Sequence, residues 1–160
     1  TWRKLMFKKI LVAVDGSEHS KRALSYGLEL AEKFGGKITL IHVYSTVMPM
    51  TPSMDTLSTP PTIPPHAFPA IAAKLTEEVK QKGERILEDA ERAVKERGIS
   101  VEKVLREGNA VREIVAVAQD GKFDLVVVGH RGLSKLRELF MGAVSEGVSH
   151  KATCPVLIVK

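Results

Sequence analysis

The residues best suited to chemistry lie in two glycine-containing segments towards the carboxyl end of the chain. The first reads Gly129-His130-Arg131-Gly132, and after nine further residues the second reads Gly142-Ala143-Val144-Ser145. Glycine has no Cβ, so the backbone N–H groups of such a loop can approach an anion closely. If the second segment begins a helix, its unpaired N–H groups and the helix dipole also favour negative charge. With the hydroxyl of Ser145 and the positive charge of Arg131, the pattern is suited to a polyphosphate.

Spacing alone leaves a second interpretation open, because glycines also serve turns and helix starts. A P-loop beginning at Gly129 would need glycine at position 134, where the chain has Ser134. The other polar turn, Asp15-Gly16-Ser17, lacks the three-glycine dinucleotide fingerprint. Asp15 either caps that turn or contacts a ligand.

The same segments contain few side chains that could take part in catalysis. Nucleophilic or hydrolytic chemistry needs a base held beside a nucleophile or a water. Besides Asp15 and Arg131, the titratable groups there are His130 and Glu146, and no Ser-His-Asp arrangement or carboxylate pair is evident. The sequence therefore favours a binding module and predicts no catalytic residue.

Three other residues have structural interpretations. His42 lies in an apolar segment and is predicted to be a hydrogen-bonded core histidine. Cys154 is predicted to be an inert small core residue. His130 either contacts the ligand or faces solvent.

Alternating strands and helices must position these residues. Apolar runs predict strands at 9–14, 37–44, 101–107, 124–129 and 155–159, and helical periodicity predicts helices at 18–34, 70–97, 110–120 and 142–151. The stripe predicted to be buried on the second helix is Ile71, Leu75, Val79, Ile86, Leu87, Ala90 and Val94. Such alternation implies a parallel sheet with helices on both faces. The most apolar strand, 124–129, is predicted to be central, and the more polar 101–107 to lie at an edge.

Ligands of such sheets bind beyond the carboxyl ends of the strands, where the strand order reverses. The turns at Asp15 and after Gly129 are therefore the candidate site. We expect one domain over residues 6–160, with residues 1–5 as an extension and Met6 as a candidate natural start. Seven of the eight prolines lie between Pro49 and Pro69, which predicts a surface insertion at about 45–70 that is either a linker or a partner ligand.

Composition excludes several other classes of protein. Lys and Arg number 24 against 19 Asp and Glu, a net charge of +5. These charges are dispersed, whereas a duplex-binding face would concentrate them, and aromatic residues are only 5%, too few to favour single-strand stacking. One cysteine excludes an internal disulfide framework. With no signal peptide or membrane-length apolar run recognised, we expect a cytoplasmic protein that binds neither nucleic acid nor membrane.

Five segments together resemble the universal stress protein family: ILVAVDGS, LIHVY, VVVGHRGLS, MGAVSEGV and CPVLIV. The resemblance runs from about residue 8 to residue 160, apart from the insertion. The nucleotide-binding branch has the pattern Gly-x2-Gly-x9-Gly-Ser/Thr, which Gly129, Gly132 and Gly142 match. Ala143 departs from it, and the missing hydroxyl removes one hydrogen bond to phosphate, worth roughly 1.5–3 kcal/mol. Ser145 matches a second hydroxyl position of the family.

The resemblance implies a five-stranded, doubly wound, Rossmann-like α/β/α fold of the adenine nucleotide alpha-hydrolase-like type, and ATP as the ligand. It implies that Asp15 contacts the ribose and that Val128 and Gly129 contact the ribose or first phosphate. The adenine slot would be lined by Ala13 and Val43, and Val14 would be a further nucleotide-binding residue. The phosphates would be held by Arg131, Gly132, Gly142, Ala143, Val144 and Ser145. Mg²⁺ would be held through the phosphates, because no cluster of protein carboxylates is spaced to bind it alone.

The resulting hypothesis is a nucleotide-dependent switch in the stress response, with little or no ATP hydrolysis, in which occupancy orders the loop 132–142 for an unknown protein partner. An alternative is a nucleotide-independent dimeric interaction protein, which Ala143 keeps open. A third is an ATP-using hydrolase or pyrophosphatase, although those carry a Gly-Gly loop after the first strand. The short apolar last strand, Pro155 to Val159, predicts a homodimer that covers this sheet edge, as does the resemblance.

Overall fold

Five strands alternate with four α-helices along residues 6–46, 64–132 and 141–160, the parts that the computed structural model describes. The predicted extension, residues 47–63 of the insertion and residues 133–140 of the glycine loop lie outside these ranges. The strands are β1 (Lys9–Ala13), β2 (Lys37–Tyr44), β3 (Val101–Glu107), β4 (Leu125–Gly129) and β5 (Val156–Val159). The helices are α1 (Glu18–Phe34), α2 (Phe68–Glu96) after a 3-10 turn at Pro65–Ala67, α3 (Ala110–Asp120) and α4 (Ala143–Lys151).

Polar side chains begin two of the helices where the sequence predicts them. The Ser17 hydroxyl accepts a hydrogen bond from the Ser20 N–H at 3.2 Å, before α1. The Asn109 side chain accepts from the Arg112 N–H at 3.1 Å, before α3. Each bond satisfies a backbone donor that has no partner inside its helix.

The strands form one parallel sheet in the order β3-β2-β1-β4-β5. β3 lies at an edge, as predicted. β4 is an interior strand but not the middle one, which is β1. In the sheet, β2 and β3 lie in succession on one side of β1, and the chain then crosses to β4 on the other side of β1. The strand order therefore reverses between β1 and β4, and the two turns that the sequence singles out follow these neighbouring strands.

Two apolar clusters cover the two faces of the sheet. Ile10 and Val12 belong to the cluster packed with α1 and α2, whereas Leu11 belongs to the cluster packed with α3 and α4. Successive side chains of a strand point to opposite faces, and all three are fully buried. The result is the expected three-layer α/β/α arrangement.

The buried stripe predicted for α2 is wrong over its first half. Leu87, Ala90 and Val94 are buried, but Ile71, Leu75 and Val79 are only partly buried. The 29 residues of α2 span about 44 Å at 1.5 Å per residue, whereas the eight residues of β2 span about 26 Å. The start of α2 therefore extends beyond the ends of the strands.

None of the described helices is long and apolar enough to cross a membrane.

Candidate functional site

A cavity of about 260 Å³ lies at the reversal of strand order. All twelve residues that the resemblance assigns to a nucleotide line it, from Ala13 to Ser145. The ends of β1, β2 and β4 form its wall, and the start of α4 closes one side. Sequence reasoning did not assign five further lining residues to the site: Ser20, Ile41, His42, Ala110 and Ile114.

One end of the cavity is an apolar slot. Ala13, Val43 and Val128 lie in the cluster that faces α3, and the buried side chains of Ile41 and Ile114 complete it. Four of these side chains come from neighbouring strands and one from α3, so the slot is built on rigid elements. Helical periodicity places Ile114 inward, but the sequence gives no signal that it reaches the strand ends.

The other end of the cavity contains the first turn of α4. The first helical hydrogen bond runs from the Glu146 N–H to the Gly142 carbonyl at 3.0 Å, and the Gly142 N–H donates to the His130 carbonyl at 2.9 Å. The N–H groups of residues 143–145 have no acceptor within the helix, because the helix begins there. These three donors and the positive end of the helix dipole lie at the wall of the cavity, an arrangement that favours an anion.

The Ser145 hydroxyl, a predicted phosphate donor, already has acceptors inside the protein. Its Oγ lies 2.9 Å from the His130 carbonyl oxygen and 2.9 Å from the Gly142 carbonyl oxygen. A hydroxyl has one proton to donate, and only 2% of Ser145 is exposed. In this arrangement Ser145 fastens the start of α4 to the end of β4, and its contact with phosphate stays a prediction.

The Asp15 carboxylate serves the turn with one oxygen and faces the glycine loop with the other. Oδ1 accepts from the Ser17 N–H at 2.9 Å, which is the turn-capping interpretation. A Cβ added to Gly132 would lie 2.5 Å from Oδ2. The two interpretations of Asp15 are therefore compatible, and a side chain at residue 132 would require the Asp15 carboxylate to move.

Gly129 has the same kind of restriction on the opposite side of β4. A Cβ there would lie 2.7 Å from the backbone carbon of His19 and 2.8 Å from its carbonyl oxygen. Only glycine lets the first turn of α1 pack against the end of β4. This contact joins the two turns that the sequence singles out.

His42 is hydrogen-bonded and partly buried, as predicted. Its Nδ1 lies 2.7 Å from the Val14 carbonyl oxygen, and because a carbonyl only accepts, Nδ1 carries the proton. The ring packs on α2, where a Cβ added to Gly83 would lie 2.5 Å from Cδ2. His42 thus connects α2 to the strand end that forms the cavity wall.

Two further titratable groups that the sequence analysis named are Cys154 and Glu146. Cys154 is partly buried among apolar side chains, and burial raises the pKa of its thiol, so the reactive thiolate is disfavoured. Glu146 is exposed on the first turn of α4. Across 6–46, 64–132 and 141–160, no group of three His, Cys, Asp or Glu side chains is placed to hold a metal ion.

Comparison with known proteins gives close sequence relatives. The model of the universal stress protein family matches residues 6–160. The universal stress protein YxiE of Bacillus subtilis is 37% identical over 155 residues, which cover 97% of this chain and 100% of that protein.

Solved structures share the fold over nearly the whole chain. A universal stress protein in complex with cAMP has a TM-score of 0.67 and 24% identity, covering 98% of this chain and 99% of that one. A member from Arabidopsis thaliana with AMP bound has a TM-score of 0.63 and 24% identity, covering 96% of this chain and 91% of that one. At this identity the likeness shows the fold, a three-layer Rossmann-like α/β/α sandwich.

Proposed function

The chain belongs to the universal stress protein family, and on that basis we propose that it binds an adenine nucleotide, ATP included, in the cavity at the carboxyl ends of β1, β2 and β4. The observation that carries the proposal is that all twelve assigned residues line one cavity. The complexes of two similar structures, with AMP and with cAMP, support the same class of ligand.

The cavity has the polarity that an adenine nucleotide needs. The apolar slot of Ala13, Val43 and Val128 suits the flat base, and Asp15 Oδ2 is the acceptor for a ribose hydroxyl. The phosphates meet the first turn of α4, where backbone N–H groups and the dipole favour negative charge. Arg131 lines the same end and adds a full positive charge.

Ala143 is the feature that works against this proposal. It lies at the first position of α4, where the family pattern has a hydroxyl, and it keeps its backbone N–H. Loss of one hydrogen bond to a charged group costs roughly 1.5–3 kcal/mol, which is about one to two decades in affinity. We expect the other donors to retain binding at reduced affinity.

We further propose that the bound nucleotide regulates and is hydrolysed little or not at all. Asp15 Oδ1 is engaged by the Ser17 N–H, and no second carboxylate in the described cavity lining could activate a water. Mg²⁺ would be held through the phosphates, since the residues described around the cavity include no carboxylate other than Asp15. Prompt ATP turnover by the purified protein would favour the hydrolase alternative instead.

The second part of the proposal is a homodimer through β5. This strand pairs with β4 on one side only and forms an edge of the sheet. An apolar edge strand invites pairing with another chain, and a copy related by a two-fold axis closes the sheet. A nucleotide-independent dimer remains the alternative, and Ala143 is the observation that favours it.

Competition with a fluorescent ATP analogue tests these alternatives together. We expect saturable binding that ATP, ADP and AMP displace, and no prompt release of inorganic phosphate. Absence of saturable binding at about 100 μM, equivalent to roughly 5.5 kcal/mol, would leave the nucleotide-independent dimer as the better description.

A further inference from the structure

A second cavity, of about 620 Å³, lies between α1 and α2, on the face of the sheet opposite to the apolar slot. Of the residues assigned to the nucleotide, only Val14 and Asp15 also line this second cavity. Its volume is typical of sites for small molecules. We call it the interhelical groove and treat it as a candidate ligand site separate from the nucleotide cavity.

One part of the interhelical groove is apolar. Aliphatic side chains line it from the facing sides of the two helices, at spacings of three or four residues: Leu24, Leu28, Ile86, Ala90 and Ala93. All of them belong to the apolar cluster of this face or pack against it. Along α1 the groove extends from Ser20 to Leu28, which is about 12 Å at 1.5 Å per residue. This part is suited to an elongated aliphatic chain.

The end of the groove beside the start of α1 has a positive charge without a counter-ion. Lys82 lines the groove one turn before Ile86, and Ile86 lies beside that start, because its Cδ1 would be 3.4 Å from a Cβ added to Gly16. No ion pair joins Lys82 to an acidic side chain within the described parts of the chain. The positive end of the α1 dipole lies at the same place, so this end favours a negatively charged group.

The charges of Lys21 and Asp89, which also line the groove, have partners. The Lys21 amine lies 2.7 Å from a carboxylate oxygen of Glu18, and the Asp89 carboxylate pairs with Arg92. Each pair leaves no net charge beside the groove. The surplus charge available to a ligand is therefore that of Lys82.

Asp15 is the second carboxylate in the lining, and its side chain serves the nucleotide cavity. Oδ1 accepts from the Ser17 N–H at 2.9 Å. Oδ2 would be 2.5 Å from a Cβ added to Gly132, a residue that lines the nucleotide cavity and not the groove. We therefore assign the charge of Asp15 to the nucleotide cavity.

We propose that the interhelical groove binds an amphiphilic monocarboxylate. Its aliphatic chain packs on the leucine and alanine side chains of the groove, and its carboxylate pairs with Lys82 beside the start of α1. An aliphatic amine would be repelled by Lys82, and a neutral chain would leave this charge without a partner. The inference does not depend on the proposed function, because none of its contacts involves a nucleotide.

Chain length and charge have separate effects on the affinity of such a ligand. Each methylene that leaves water strengthens binding by up to about fourfold, so decanoate should bind several fold more tightly than octanoate. Lys82 is exposed, and an exposed ion pair is worth a factor of up to about five. Decanoate should therefore bind a few fold more tightly than decanol, which has the same chain and no charge.

Methyl NMR of the full chain during titration with decanoate tests the position of the ligand. We expect the methyl resonances of Leu24, Leu28 and Ile86 to shift with saturation. The resonance of Ile114, in the apolar slot on the other face of the sheet, should stay in place. Shifts confined to Ile114 would place decanoate in the nucleotide cavity and overturn the proposal.

A charge-removing variant tests the position of the carboxylate. Lys82→Gln should weaken the binding of decanoate a few fold and leave that of decanol unchanged. The matched control is Lys74→Gln, an exposed lysine of the same helix that does not line the groove, and it should bind both as the wild type does. Equal decanoate affinities for Lys82→Gln and the control would contradict the proposal.

Two further outcomes would also overturn it. If none of these methyl resonances responds to decanoate, the groove is not a site for such a ligand. If the groove resonances shift when the protein concentration alone is raised, a second copy of the chain covers the groove. Either result leaves the proposed nucleotide binding untouched.

Discussion

Ala143 is the residue at which the proposed site departs from the family pattern. It is exposed at the start of α4, beside backbone donors that its side chain does not obstruct. The Ser145 hydroxyl lies within hydrogen-bonding distance of two carbonyl oxygens of the protein, and its contact with phosphate stays a prediction. In the proposed complex, we therefore expect the backbone N–H groups and Arg131 to contribute most of the phosphate binding.

Restoring the hydroxyl should tighten binding. We expect Ala143→Ser to lower the Kd for ATP by about tenfold or more, since a hydrogen bond to a charged group is worth roughly 1.5–3 kcal/mol. Displacement of a fluorescent ATP analogue measures the change. Ser149→Ala, on the exposed side of the same helix, should leave the Kd unaltered. Equal affinities for wild type and Ala143→Ser would mean that residue 143 does not face phosphate.

The glycine spacing and the family resemblance predicted twelve of the residues around the cavity, but not how some of them are held. The sequence places Asp15 and Gly132 at the ends of neighbouring strands, and they prove close enough that a Cβ on Gly132 would meet the carboxylate. The acceptors of the Ser145 proton were not predictable, because one of them, the His130 carbonyl, is 15 residues away along the chain. The contact of His42 with Gly83 likewise joins separate elements.

At the scale of elements, the sequence predicted the bounds of strands and the capping residues of helices better than it predicted the burial of helices. Runs of apolar residues bounded by turn residues predicted β2 and β3 with the observed bounds. The periodicity of α2 is regular along its length, so it gave no sign that the first half extends beyond the sheet. Burial of that helix depends on strand length, which its own sequence does not contain.

The contact between α2 and β2 should make Gly83 intolerant of a side chain. In an exposed helix Gly→Ala stabilises by about 1 kcal/mol, but here the added Cβ would lie 2.5 Å from His42 Cδ2 and 3.1 Å from Leu105 Cδ1. We expect Gly83→Ala to lower the free energy of unfolding by about 1–3 kcal/mol, the usual cost of overpacking, measured by urea denaturation.

A double-mutant cycle separates this clash from other effects. His42→Ala removes the ring that the new methyl group meets, so Gly83→Ala should be less destabilising in that background. Should Gly83→Ala cost the same with and without the ring, the packing of His42 on α2 would not be the cause.

At the scale of the whole molecule, the two edges of the sheet differ in composition. β3 carries charged residues along its edge, whereas β5 is wholly apolar. Charged residues on an edge oppose pairing with another sheet. The edge formed by β5 is therefore the one at which we expect a second copy of the chain.

A charge placed on that edge should dissociate the dimer. We expect Val156→Lys to shift the protein towards monomer in sedimentation equilibrium at micromolar concentration, because a charged side chain on this apolar edge opposes pairing with another chain. The matched control is Val101→Lys at the start of β3, on the opposite edge and also partly buried. A wild-type protein that is monomeric at these concentrations, or a dimer that Val156→Lys leaves intact, would contradict the proposal.

The central claim is that the cavity between Asp15 and the glycine loop holds an adenine nucleotide, and direct calorimetric titration with ATP tests it. We predict saturable binding to the wild type with one site per chain, retained in Ser149→Ala. Gly132→Ala should weaken it, because the added Cβ, 2.5 Å from Asp15 Oδ2, would displace that oxygen from the position proposed for the ribose contact. No heat of binding in the wild type, or equal affinity in Gly132→Ala with its fold intact, would contradict the claim.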